Sequence, residues 1–209
     1  MIDRMRAVRL MSACCIAVVL AACAGSRGGA PSERPQRYDL GPFTSQSATP
    51  GANPQGSPLV LSMDAAPILA DTGILWRVGN SAAPQAYAQA RWAATPVQLV
   101  RQRLVDHMSQ DRPVLAESVV ADVAQLRITL TRFEQVFATD GSSSQGHVDL
   151  QVMMVQNRKI LSSTRIQVQA PADTQDAEGG VQALRAATDQ AAKELSYWAS
   201  VQNAPAKTR

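Results

Sequence analysis

Residues Tyr87–Leu104 read YAQARWAATPVQLVRQRL, and the period of the chain changes within them. Up to Trp92 the pattern QAYAQARW (Gln85–Trp92) alternates in the two-residue rhythm of a strand. Thr95 then stands where an N-cap belongs, with a side chain able to accept a backbone N–H. Pro96 follows at the first helical position, where its missing donor is no loss, and Gln98 completes a capping box. Val97, Val100, Leu104 and Met108 recur on one helical face through about residue 110. A strand therefore feeds directly into a helix.

Working outward, the same two periods account for most of the chain. Upstream, RYDLGPF supplies a short extended piece, PLVLSMDA places Leu59, Leu61 and Met63 on one face, and GILWRVG does the same for Ile74, Trp76 and Val78. Downstream come PVLAES and AQLRITLTRFEQVF. In the second, Leu126, Ile128 and Leu130 share a phase that Phe133 and Phe137 break, which predicts a bulge near Arg132. HVDLQVMMV and KILSSTRIQVQ flank Asn157-Arg158 and predict a hairpin, on a weaker turn signal than Asn-Gly. A last helix, about Thr174 to Val201, aligns Val181, Leu184, Ala187, Ala191, Leu195 and Trp198, with Arg185, Asp189 and Lys193 opposite. Runs of strands with one helix between them and one after them predict a single α+β domain, a largely antiparallel sheet with two main helices packed on one face.

The N-terminus has a different character. Arg4, Arg6 and Arg9 precede an apolar run from Leu10 to Ala22, within the roughly 7–15 residues of a signal-peptide core and short of the roughly 20 that span a bilayer. Leu20-Ala21-Ala22-Cys23 resembles the bacterial lipobox, in which the cysteine sulfur receives a diacylglycerol. The other reading is ordinary secretory cleavage leaving a free thiol. Expected boundaries are a leader over 1–22, lipidated Cys23 with a Gly/Ser/Pro-rich tether over 23–36, a domain over 37–202 with a long loop at 44–57, and a polar tail over 203–209. At full extension the 13 tether residues after Cys23 reach at most about 45 Å.

Cleavage changes the charge and thiol inventory. The chain holds 20 Lys and Arg against 17 Asp and Glu; the first 22 residues hold three arginines and Asp3, so 17 against 16 remain. The basic balance is then no argument for nucleic acid. Cys14 and Cys15 leave with the leader, so no internal disulfide and no thiolate metal site remain, and the core must hold the fold.

YDLGP (Tyr38–Pro42), PILADTGILWR (Pro67–Arg77) and Tyr87–Leu104 together resemble the ABC-type transport auxiliary lipoprotein family, the PqiC-like lipoproteins. The resemblance rests on Tyr38 and Leu40 in the opening strand, on Pro67, Leu69 and Arg77, and on Arg91, Trp92, Pro96, Leu99 and Leu104. The Thr44–Ser57 insertion and Gly73-Ile74 depart from the family pattern. The resemblance implies a non-catalytic component that works with an MCE-domain protein and, through it, an ABC permease and ATPase, in moving lipid between inner and outer membranes. Ala24 is not the aspartate that retains many lipoproteins at the inner membrane, so the periplasmic face of the outer membrane is expected, with the lipid on Cys23 as anchor and no other cofactor.

The residue types give little support to catalysis. His107 lies at the edge of the first helix's apolar face beside Asp106, and His147 opens a strand beside Asp149; neither has a metal-ligand or nucleophile spacing, and both read as polar surface. Ser142–Ser144 in DGSSSQG lacks the second glycine of a nucleophile elbow and reads as a turn. No Gly-rich phosphate loop precedes a lysine. Arg91-Trp92 reads either as a partner contact or, as a tryptophan at a strand-helix junction more often is, as a core anchor with arginine over its edge. Met153 and Val155 fall opposite Val148 and Leu150, either buried under a neighbour or forming an apolar surface for self-association or an MCE partner. A regulator of another envelope machine, a peptidoglycan synthase or lipopolysaccharide exporter, would share the anchor, tether and small domain; an envelope hydrolase is a third class.

Overall fold

The computed structural model describes residues 34–44, 56–115 and 122–202. The expected leader, Cys23 and the tether up to residue 33, most of the 44–57 loop, the end of the PVLAES strand and the tail lie outside the described residues. The elements run β1 (Gln36–Tyr38), β2 (Leu59–Ala65), a 3-10 turn (Pro67–Leu69), β3 (Gly73–Val78), β4 (Gln85–Trp92), α1 (Pro96–Met108), β5 (Val114–Leu115), β6 (Ala124–Phe137), β7 (Ser144–Gln156), β8 (Lys159–Pro171) and α2 (Ala177–Gln202). This is the α+β architecture with two helices that the periodicities predict. No helix among the described residues is long and apolar enough to cross a membrane.

The long strand β6 organises the sheet. Antiparallel β7 follows one edge of it from Gln125↔Val155 to Phe137↔Ser144, and β8 pairs antiparallel with β7. The other edge is shared: β2 runs parallel to Ala124–Leu130 and β3 parallel to Gln135–Phe137. Between them the Pro67–Leu69 turn lifts the chain off the ladder just after Ala66 N–H donates to the Leu130 carbonyl at 2.9 Å. The register of β6 on β7 slips between Leu130 and Arg132, where the sequence predicts its bulge. That one extra residue lets Leu130 and Phe133 face the same core despite their odd spacing. Beyond β3 the sheet continues through antiparallel β4 to parallel β1, and beyond β2 through parallel β5.

Two helices cover one face. In α2, Val181, Leu184, Ala187, Ala191 and Leu195 are buried against Val148, Leu150, Val168 and the rest of that face, and Trp198 packs at the margin. The helix comes close because Gly146 lies beneath it: a Cβ there would sit 2.6 Å from the Ala183 carbonyl carbon and the Leu184 nitrogen. Helix α2 begins at Ala177, later than the periodicity suggests, because Asp176 caps it, its Oδ1 accepting the Gly179 N–H at 2.9 Å. In α1, Val100, Leu104 and Met108 are fully buried, and Gln98 Oε1 accepts both the backbone N–H (3.1 Å) and the hydroxyl (2.9 Å) of Thr95. At the β7–β8 hairpin Asn157 and Arg158 both adopt positive φ, 51° and 64°, the pairing of a type I′ turn.

Two details differ from expectation. Of Ile74, Trp76 and Val78 only Ile74 is buried, because β3 runs out past the helices and its end packs Trp76 against Tyr87 and Phe137 instead. Arg185 and Asp189 are half-buried rather than on a free outer face, because the C-terminal half of α1 lies alongside Asp189 and the segment after β1 lies over Arg185, which donates to the Pro42 carbonyl at 3.1 Å.

Candidate functional site

The seam between α1 and α2 is polar at its centre. Arg103 lies three residues after Val100 and so shares the inward edge of α1, where it is 5% exposed. Its Nε and one terminal nitrogen grip Asp189 at 2.5 and 2.9 Å, and the other terminal nitrogen donates to the Gly41 carbonyl at 3.1 Å. One turn on, His107 Nε2 meets the same Asp189 carboxylate at 3.0 Å. The Phe43 ring completes the packing, edge-on to His107 at 4.5 Å and 5.1 Å beneath the Arg103 guanidinium. Burial alone would raise the Asp189 pKa; the hydrogen bonds from Arg103 and His107 and their charges outweigh it and hold the carboxyl below its ordinary range. His107 is thus half-buried at a helix junction, not polar surface.

A second cluster lies on the sheet face away from the helices. Arg77 Nε donates to Glu134 Oε2 at 2.7 Å and Arg132 Nε to Glu134 Oε1 at 2.6 Å, so two guanidiniums hold one nearly buried carboxylate. His147 lies directly across from Glu134 in the ladder, three residues inside β7 and not at its start as the sequence suggested. It is 8% exposed because long neighbouring side chains roof that face, and its Nδ1 has no partner among the described residues. Burial first, then Arg132, pushes its pKa down, with Asp149 and Glu134 opposing. The expectation of a surface histidine is therefore corrected: nearby carboxylates and guanidiniums pack it in.

The remaining motif residues serve structure. Leu40, Leu69 and Trp92 are core, Pro96 is buried at the start of α1, and Pro67 is exposed on its turn. Tyr38 pairs across from Trp92, whose ring lies 5.3 Å from Phe133. Arg91 reaches back to the Tyr87 carbonyl at 3.1 Å. Tyr87 itself donates to Gln135 Oε1 at 2.7 Å, and burial, with Asp176 adding to it, pushes its pKa up to about 12. Ser142 donates to Asp140 in the β6–β7 turn, and Ser144 accepts from Gln135 inside the core. Met153 is 40% exposed on the open sheet face and Val155 half-buried beside it, with Ile160 and Leu161 more exposed still near the hairpin tip. Sequence reading singled out neither Arg103 nor Glu134. Arg103 carried a signal in its i+3 spacing from Val100, whereas nothing local marked Glu134. Among the described residues no group of three or more His, Cys, Asp and Glu side chains is placed to hold a metal ion.

The arrangement is that of a small α+β domain whose charged clusters tie its elements together. The fold is shared with a crystal structure of a Xanthomonas campestris protein of the DUF330 family, at a TM-score of 0.66 and 21% identity, covering 80% of this chain and 96% of that one. A second crystal structure, of an uncharacterized protein, is similar at a TM-score of 0.64 and 16% identity, over 80% of this chain and all of that one. No curated protein matches. The chain belongs to the ABC-type transport auxiliary lipoprotein component family, whose model matches residues 38–196, from Tyr38 in β1 into the last turns of α2.

Proposed function

We propose that this protein is the outer-membrane-anchored, periplasmic auxiliary lipoprotein of an ABC/MCE-type intermembrane lipid transport system, acting as a docking component without chemistry of its own. The observation that carries the reading is family membership across the whole described domain, joined to the setting of Cys23 after Leu20-Ala21-Ala22. Acylation of Cys23 with several chains would hold the domain durably, where one chain is marginal. Ala24 in place of aspartate favours the outer membrane. The exposed apolar residues of the β7–β8 hairpin, Met153, Ile160 and Leu161, with Val155 beside them, offer a docking surface for the MCE-domain partner.

The test is photo-crosslinking in native membranes from position 153 or 160, followed by purification of the adduct. An MCE-domain protein is expected in it, with the ABC permease and ATPase co-purifying. Recovery instead of a peptidoglycan synthase or a lipopolysaccharide export component would overturn the reading.

A further inference from the structure

Arg112 raises a problem that the function proposed above does not address. It follows α1 in the turn that closes on the Met108 carbonyl, it is 5% exposed, and its Nε has no hydrogen-bond partner among the described residues. No carboxylate among them forms an ion pair with it. An arginine cannot lose its proton to escape burial, as a lysine or histidine can, and buried charges in proteins are paired or hold an ion.

Arg112 lines a cleft of about 870 Å³ between the C-terminal end of α1 and the outer half of α2. Arg103, Arg185 and Lys193 line it too, against two carboxylates, Asp111 and Asp189, and Asp189 is already engaged by Arg103 and His107. The cleft therefore holds two positive charges in excess. The Ser196 hydroxyl follows Lys193 along α2, and beyond it the Ser200 hydroxyl is taken up by the Tyr197 carbonyl at 2.7 Å. The site is also built: the backbone of Gly56 bonds to the Asp111 carbonyl at 2.9 Å and presses on Arg112, so that a Cβ at 56 would lie 2.8 Å from the Arg112 Cβ. The chain that leaves at Thr44 and returns at Gly56 contains no Asp or Glu, so it brings no counter-ion of its own.

We infer that this cleft between α1 and α2 binds a phosphate group, with Arg112 as its buried anchor and Lys193 at its rim. A guanidinium fork matches phosphate oxygens in pairs, and an excess of two charges suits a phosphate better than a single carboxylate. The volume accommodates a phosphate on a small organic body, so the group can belong to a phospholipid head or to free phosphate. The inference stands independently of which envelope machine the protein serves.

The experiment is calorimetric titration of the full chain, in non-ionic detergent at low salt, with inorganic phosphate and separately with glycerol 3-phosphate. Saturable binding is expected, weakened at least about tenfold by Arg112→Gln, as for loss of a charge-assisted hydrogen bond. Lys193→Gln changes an exposed side chain, leaves the fold intact, and should weaken binding about threefold, in the range of an exposed charge pair. Tighter binding of glycerol 3-phosphate supports a lipid head as the source, and equal binding supports phosphate itself. Absence of saturable binding of both probes, or binding indifferent to Lys193→Gln and to a folded Arg112→Gln, would overturn the inference.

Discussion

Arg103 on α1 and Asp189 on α2 close on each other through two hydrogen bonds of 2.5 and 2.9 Å across 86 residues of sequence. The guanidinium is buried and the carboxylate about a quarter exposed, so the pair joins the helices more firmly than a surface bridge would.

Breaking one side of that pair should cost more than removing both. Asp189→Ala leaves Arg103 charged and buried, and a loss of about 3 kcal/mol is expected, toward the lower end for a buried pair because Asp189 is partly solvated. The double variant Arg103→Met with Asp189→Leu should recover much of it. Thermal unfolding of the two singles and the double gives the coupling; strictly additive losses would contradict a specific pair.

Trp92 is 2% exposed between β1 and Phe133, which makes it a core anchor. Trp92→Ala should lower stability by about 3–5 kcal/mol. Unchanged unfolding accompanied by loss of a partner would instead make Trp92 an interface residue.

His147 should impose a mild acid sensitivity. Its folded pKa lies below the ordinary 6.5, so above pH 6.5 both folded and unfolded states are neutral there and the full stability is present. As pH falls through 6.5 the unfolded chain takes up a proton that the folded chain resists, and stability declines. Asp189, also depressed, acts in a separate window: its contribution is present above its ordinary 3.8 and is lost only below it. The melting temperature should therefore drop from pH 6.5 to about 5, and His147→Gln should flatten that slope. A slope equally steep in the variant would assign it elsewhere.

Arg158 occupies a φ of 64° that side chains resist and glycine does not. Arg158→Gly should raise stability by about 0.5–1 kcal/mol, the steric relief exceeding glycine's entropic penalty. For a chain of this size that is roughly 1–4 °C in melting temperature, and a lower value would show that the Arg158 side chain contributes contacts of its own.

Cys23→Ala should abolish incorporation of labelled fatty acid and release the protein to the soluble periplasm. Continued labelling of that variant would remove the anchor from the proposed function.

Local rules made much of the fold legible. The phase change from Leu130 to Phe133 located a bulge, Thr95-Pro96-Gln98 located a helix start, and Asn157-Arg158 located a hairpin, because each is a property of a few consecutive residues. Strand partners were not legible. Nothing in PLVLSMDA or GILWRVG states that both lie parallel on one edge of β6, since a strand's alternation specifies a buried face and not a neighbour. The charged clusters were hidden for the same reason: Arg77 and Glu134 are 57 positions apart, and His147 became buried only when β6 brought Arg132 and Glu134 alongside it.

The sequence by itself determined the element types, the apolar faces and, through the motifs from Tyr38 to Leu104, the family. Only the tertiary structure decided which charges meet, that Asp189 serves both Arg103 and His107, and that Arg112 is left without a carboxylate among the described residues. Periodicity acts over a few residues, whereas the pairing of buried charges depends on which distant segments the core draws together.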